Sequence, residues 1–203
     1  MTSLIYRSGP GYELAMRLLY GRHYQSRYTT IAENIRAESS VLDVCCGPGT
    51  LFDRYLKQKG VEYTGLDINP GFISNLRKCG ARGEVRDLRD DQPLPAADYV
   101  VMQASLYHFL PDPGPVVDRM LDAARLRLII AEPVRNLTSN ENRLLSLAGR
   151  LLTNPGSGEQ PNRFTEATLD AFFAGYEDQV CQSMLIPGSR EKMYILRPQG
   201  LRR

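Results

Sequence analysis

Few side chains in this sequence have the types and spacing that build a small-ligand site, and they fall into five short stretches. In VLDVCCGPGT (41–50) a β-rich run meets a glycine turn, which gathers Asp43, Cys45, Cys46, Gly47, Pro48 and Gly49. Gly47 and Gly49 carry no Cβ, so the backbone can approach a ligand closely, and amides opening the next helix would face that ligand. A G-x-G turn alone also has plain structural uses. Asp67, followed by Ile68, stands 18 residues beyond Gly49. A carboxylate after the second strand of a nucleotide-binding sheet can hold both hydroxyls of an adenosine ribose. Asp87 could accept from an exocyclic amine of adenine, with Leu88 packed near the ring. Gln103 ends the next apolar run. Five residues later comes His108, one of two histidines and the candidate general base. Glu132 is the second candidate base; its structural alternatives are capping a helix or pairing with Arg135.

These residues need elements to place them. Helical spacing of apolar residues runs through 11–21 and 24–37. Strands are expected at 41–46, 61–67, 84–88, 98–105 and 127–133, with helices at 50–60, 70–80 and 115–126. A further amphipathic helix is expected at 138–152, a loop at 154–162, and a helix at 165–175 capped by Thr165. The sequence closes on a hairpin, 180–186 with 191–197. Alternating strands and helices imply an α/β fold: a three-layer, Rossmann-like, mostly parallel twisted sheet with an antiparallel strand from the terminal hairpin. Asp67, Asp87, Gln103 and Glu132 then all lie at carboxyl ends of strands, where open α/β sheets bind ligands.

Composition narrows the partners. The 203 residues carry 25 Lys+Arg against 23 Asp+Glu, a net charge of +2, with no clustered basic run. That argues against general nucleic-acid binding and against a polybasic membrane segment. No apolar stretch approaches the roughly 18 residues of a spanning helix. The four cysteines, Cys45, Cys46, Cys79 and Cys181, lack zinc-site spacing, and no metal is expected. Cys45 and Cys46 read as small packing residues, and the chain as a cytoplasmic protein with reduced thiols.

VLDVCCGPG, GLDINP, EVRDL and ADYVVMQASLYHF, with LRLIIAEP and RFTEATLDAFFAGY, resemble the class I S-adenosylmethionine-dependent methyltransferases over most of residues 24–197. ASLYHF and RFTEATL look most like the small-molecule branch of that family, which includes quinone-ring methyltransferases. The resemblance implies that Cys45 to Gly49 line the methionine part of S-adenosylmethionine, Asp67 its ribose and Asp87 its adenine, with S-adenosylhomocysteine as product. Cys45 replaces the family's usual first glycine; it fits if its backbone stays in an ordinary region, since φ > 0 there would be costly.

The acceptor side is less defined. Tyr20 and Tyr24 could stack near the cofactor or pack into the core. Arg163 could hold an acidic substrate or be a surface Arg. The fourth strand ends in QASL, without the Asn/Asp-Pro-Pro-aromatic motif of base amino-methylation or the Pro-Cys of a covalent cytosine methyltransferase. The expected reading is one methyltransferase domain over 1–203, acting on a small-molecule acceptor at an O, N or C atom, as monomer or homodimer. Residues 1–40 form a helical cap and 134–164 an inserted substrate cover. The alternatives are an NAD-dependent oxidoreductase, against which Phe52 stands where the third fingerprint Gly or Ala belongs, and a catalytically silent cofactor-binding protein.

Overall fold

The computed structural model describes residue 17, residues 20–134 and residues 163–198. The expected helix over 138–152 and loop over 154–162, and most of the helix over 11–21, lie outside the described residues. Seven strands form one sheet in the order β3-β2-β1-β4-β5-β7-β6. They are β1 (Ser40–Val44), β2 (Glu62–Asp67), β3 (Arg82–Val85), β4 (Ala97–Gln103), β5 (Ala124–Pro133), β6 (Val180–Leu185) and β7 (Glu191–Leu196). The first five pair in parallel, whereas β7 runs antiparallel to both β5 and β6. The hairpin therefore folds back so that its second strand, not its first, pairs with β5, and its first becomes the sheet edge. The order reverses between β1 and β4, which is the point where such sheets open a ligand crevice.

Alternation along each strand divides the core in two. Leu42, Val44, Leu66, Val100, Met102, Leu128 and Ile130 face one side, against α3 (Gly114–Ala123) and α4 (Glu166–Ala174). Val41, Tyr63, Tyr99, Val101, Ile129 and Ala131 face the other. There they meet α1 (Ser26–Glu33), the helical segment 50–59 and α2 (Pro70–Lys78). Each fully buried Leu or Ile in these layers stabilises the fold by about 1.5–3 kcal/mol relative to exposure. The helix starts follow local chemistry. Asn69 accepts from the Gly71 N–H at 2.9 Å with Pro70 at the first helical position, and Thr165 and Thr168 form a reciprocal capping box.

Several boundaries differ from expectation. β3 covers Arg82–Val85 rather than 84–88, because its partner β2 ends at Asp67, the residue opposite Val85. β4 stops at Gln103, since Ala104 turns to φ 53°. β5 begins at Ala124, which pairs across a bulge with Ala97. The segment after the glycine turn is not a plain α-helix: it winds wide over Phe52–Leu56 and tightens over Lys57–Lys59. Its Tyr55 ring stacks on Tyr28 of α1 at 5.3 Å. No helix among the described residues is long and apolar enough to cross a membrane.

Candidate active site

The glycine turn and Asp67 form one unit. Three of its residues have left-handed backbone: Cys45 (φ 58°), Gly47 (φ 57°) and Gly49 (φ 81°). The expectation of ordinary backbone at Cys45 is thus corrected. The chain must reverse sharply out of β1, and a residue with a Cβ holds that conformation at a cost of about 1–2 kcal/mol. The Cys45 side chain packs against the core layer that holds Leu42, Val44 and Met102. Burial and the nearby Asp67 and Asp43 push its thiol up, so it stays protonated and packs rather than attacks. Cys46 is raised by the same causes, burial foremost. Cys46 N–H donates to the Leu66 carbonyl at 3.0 Å. Gly47 N–H donates to Asp67 Oδ2 at 2.9 Å, and Asn69 N–H to Oδ1 at 2.8 Å.

Space around this unit is uneven. A Cβ on Gly49 would lie 2.6 Å from Leu76 Cδ1, so this glycine is required by packing. A Cβ on Gly47 would meet nothing within 4 Å, so that side of the turn is open. Pro48 between them is half-buried. Ile68 and Val85 are 59% and 49% exposed, the two large exposed apolar side chains among the described residues. Ile68 follows Asp67 in the chain and Val85 is its partner across the β2–β3 register. An apolar shelf therefore flanks a carboxylate, a combination that suits a nucleoside.

Other expected residues are distributed around this centre. Asp43 is buried beneath the turn, where Tyr63 OH donates to it and burial pushes its carboxyl up to about 7. Asp87 is exposed past β3, accepts from the Arg89 N–H at 3.1 Å and pairs with the Arg89 guanidinium at 3.9 Å. Leu88 packs into the core, and its carbonyl accepts from Arg119. Phe52 is buried against Tyr63, ring centroids 4.9 Å apart, where a dinucleotide fingerprint would need a small residue.

Tyr20, Tyr24 and Gln103 meet residues that sequence reasoning did not single out. Tyr20 OH donates to Glu191 Oε1 at 2.7 Å, and Arg27 Nε donates to the same oxygen at 2.6 Å. The Arg27 guanidinium lies 4.0 Å from the Tyr20 ring centre. Gln103 Nε2 donates to the Arg27 carbonyl at 3.1 Å and to Glu191 Oε2 at 3.4 Å. Tyr24 is buried edge-on to Tyr28 at 5.5 Å. This buried knot fastens α1 to the ends of β4 and β7. Arg27 and Glu191 are 164 residues apart, and no local pattern links them.

The second polar group lies on the opposite face. Past Ala104 the chain forms the short turn Leu106–Phe109. Glu132 caps it: Oε2 accepts from the Leu106 N–H at 2.9 Å, the capping role weighed above; Arg135 lies outside the described residues. Glu132 is 1% exposed, burial pushes its carboxyl up to about 8, and its Oε1 has no hydrogen-bond partner among the described residues. His108 packs on Tyr107 at 4.0 Å between ring centres. Burial, with Arg163 and Arg89 nearby, lowers His108 to about 4, so its imidazole is neutral at pH 7. Arg163 is half-buried with its guanidinium 4.2 Å from the Tyr107 ring centre.

The sheet order, its switch point and the turn bound to Asp67 define a Rossmann-like fold of the methyltransferase type. Residues 42–127 match the family model of a methyltransferase domain. The chain is 30% identical over 109 residues to trans-aconitate 2-methyltransferase of Mycobacterium tuberculosis, a stretch covering 52% of this chain and 41% of that protein. It thus spans about two fifths of the length of the curated relatives it matches. Magnesium protoporphyrin IX methyltransferase from Synechocystis, solved with bound S-adenosylhomocysteine, superposes with a TM-score of 0.63 at 16% identity, over 94% of this chain and 88% of that one. An O-methyltransferase family protein from Burkholderia thailandensis gives 0.65 at 19% identity, over 94% and 60%. These two likenesses concern the fold.

Proposed function

We propose that this chain transfers a methyl group from S-adenosylmethionine to a small-molecule acceptor. The observation that carries the reading is the left-handed turn Cys45–Gly49, bonded through Gly47 N–H to Asp67 at the switch point of the sheet. The residues fit the cofactor. The open side of Gly47 admits its methionine part, and each Asp67 oxygen spends one of two acceptor positions on a backbone amide, leaving the other for a ribose hydroxyl. Ile68 and Val85 offer apolar contact to the adenosine, and Asp87 an acceptor for its amine. When bound, the sulfonium supplies an already activated methyl group.

The protein's task is then to align the acceptor and exclude water. His108, neutral at pH 7, is able to take a proton from an acceptor hydroxyl. Glu132 holds the turn that carries it. The knot of Tyr20, Arg27, Gln103 and Glu191 keeps α1 against the site. In this reading a single domain works in the cytoplasm as monomer or homodimer, without nucleic acid or membrane insertion, and residues 1–40 and 134–164 cover the acceptor. The test is methyl transfer from labelled S-adenosylmethionine to a panel of small acids, phenols and amines. Turnover is expected with at least one acceptor class. His108→Ala should slow transfer to a hydroxyl acceptor by about 10²–10⁴-fold with S-adenosylhomocysteine affinity intact. An unchanged rate would make His108 structural, and cofactor binding with no turnover would favour a silent binding protein.

A further inference from the structure

Among the described residues, no anion pairs with Arg163. It is half-buried, lies on the Tyr107 ring and has no carboxylate within ion-pair distance among the described residues. The carboxyl that its charge reaches, Glu132, is buried, bonded to the Leu106 N–H and raised by burial, so it is largely protonated near neutral pH. Arg89, the other cation acting on His108, is already opposed by Asp87. Stacking on an aromatic face keeps a guanidinium flat and leaves its in-plane N–H donors free to grip a carboxylate with two parallel bonds. His108 shares the same Tyr107 ring and adds a second polar group beside the guanidinium. Tyr107 and His108 follow the end of β4, and Glu132 stands at the end of β5 beside it.

We propose that Arg163, held over the Tyr107 ring, anchors a carboxylate-bearing acceptor, and that His108 is the second ligand of that same carboxylate. This rests on the methyl-transfer reading for the word acceptor, but the anion site stands on its own geometry. A bound carboxylate offsets the Arg163 charge that now disfavours imidazolium. The His108 pKa therefore rises when the acid binds, while its ring stays neutral near pH 7 and donates its one N–H to the acid. The charged and titratable groups acting here are Arg163, Arg89 with Asp87, Glu132 and the Tyr107 hydroxyl.

The experiment titrates phenylacetate and succinate, each against its primary amide, into the full chain with and without S-adenosylhomocysteine, while NMR follows the two histidine rings. The His108 ring is assigned by its loss in His108→Asn. At least one acid should bind tenfold or more tighter than its amide and raise the His108 pKa by about one unit, and the amides should leave it unmoved. Arg163→Gln should erase the acid preference and keep normal S-adenosylhomocysteine affinity, with Arg163→Lys intermediate. Equal binding of acids and amides, no acid binding, or a preference that survives in Arg163→Gln would overturn the proposal. If Arg163→Gln also loses S-adenosylhomocysteine binding, the acid–amide comparison and the His108 shift in the unaltered protein decide. Failure of S-adenosylhomocysteine to bind would instead strike the methyl-transfer reading, and the titrations without it still decide the anion site.

Discussion

At the scale of single residues, buried ionisable groups are set by desolvation more than by partners. Glu132 and Asp43 are pushed up to about 8 and about 7 by burial. Between an ordinary carboxyl pKa and these values, the unfolded chain has lost a proton that the folded chain keeps. Stability therefore falls as pH rises through that window, by up to about 1.4 kcal/mol per pH unit for each group. His108 acts in the opposite sense: its folded value is about 4, so its contribution is lost as pH falls from about 6.5 toward 4. The range from pH 6.5 to 8 separates the two. Urea unfolding across it should show declining stability in the native chain and a flatter profile in Glu132→Gln. Equal slopes would contradict a buried, protonated Glu132. None of this can be read from the sequence, where Glu132 is one glutamate at the end of an apolar run and its burial arises from the folded sheet around it.

At the scale of elements, the glycine turn separates packing from binding. Gly49→Ala forces a Cβ into Leu76 and should cost about 1–3 kcal/mol of stability beyond its left-handed strain. Gly47→Ala meets open space and bears only the strain of φ 57°, about 1–2 kcal/mol, but places a methyl group where the ligand is expected. Thermal unfolding and S-adenosylhomocysteine titration of the pair check this: Gly49→Ala should be the less stable protein and Gly47→Ala the poorer binder relative to its stability. The reverse ranking would mean the turn is oriented otherwise. The strand–turn–helix unit was readable because glycine placement and the run of apolar residues are local signals, and Thr165 marked its helix start for the same reason. The left-handed Cys45 was not, because its conformation is imposed by the sharp exit from β1, which only the folded sheet fixes.

At the scale of the whole molecule, one buried ion pair joins distant parts of the chain. Arg27 and Glu191 are 2% and 1% exposed, and with Tyr20 and Gln103 they connect α1 to the ends of β4 and β7. Removing either charge strands the other, so Arg27→Met or Glu191→Leu alone should cost about 3–5 kcal/mol. The double variant should recover much of that loss in a denaturation cycle; additive losses would show that the two charges are not coupled. Its two charged members escaped sequence reasoning because Arg27 and Glu191 lie 164 residues apart and each looks ordinary in its neighbourhood. The order of strands behaved differently. Parallel pairing follows from β-α-β alternation, but the insertion of β7 between β5 and β6 depends on which hairpin strand buries better. β7 is buried at Glu191, Met193, Tyr194, Ile195 and Leu196, whereas β6 is largely exposed.

The central claim is that Asp67 and the turn it binds hold an adenosine-containing methyl donor, and calorimetric titration of S-adenosylhomocysteine into the native chain and into Asp67→Ala tests it most directly. The account predicts saturable binding to the native chain, none of comparable strength for NAD, and a loss of about 1–3 kcal/mol, roughly 5–150-fold in Kd, in Asp67→Ala. Equal S-adenosylhomocysteine affinity in the two proteins, or tight binding of NAD alone, would contradict it.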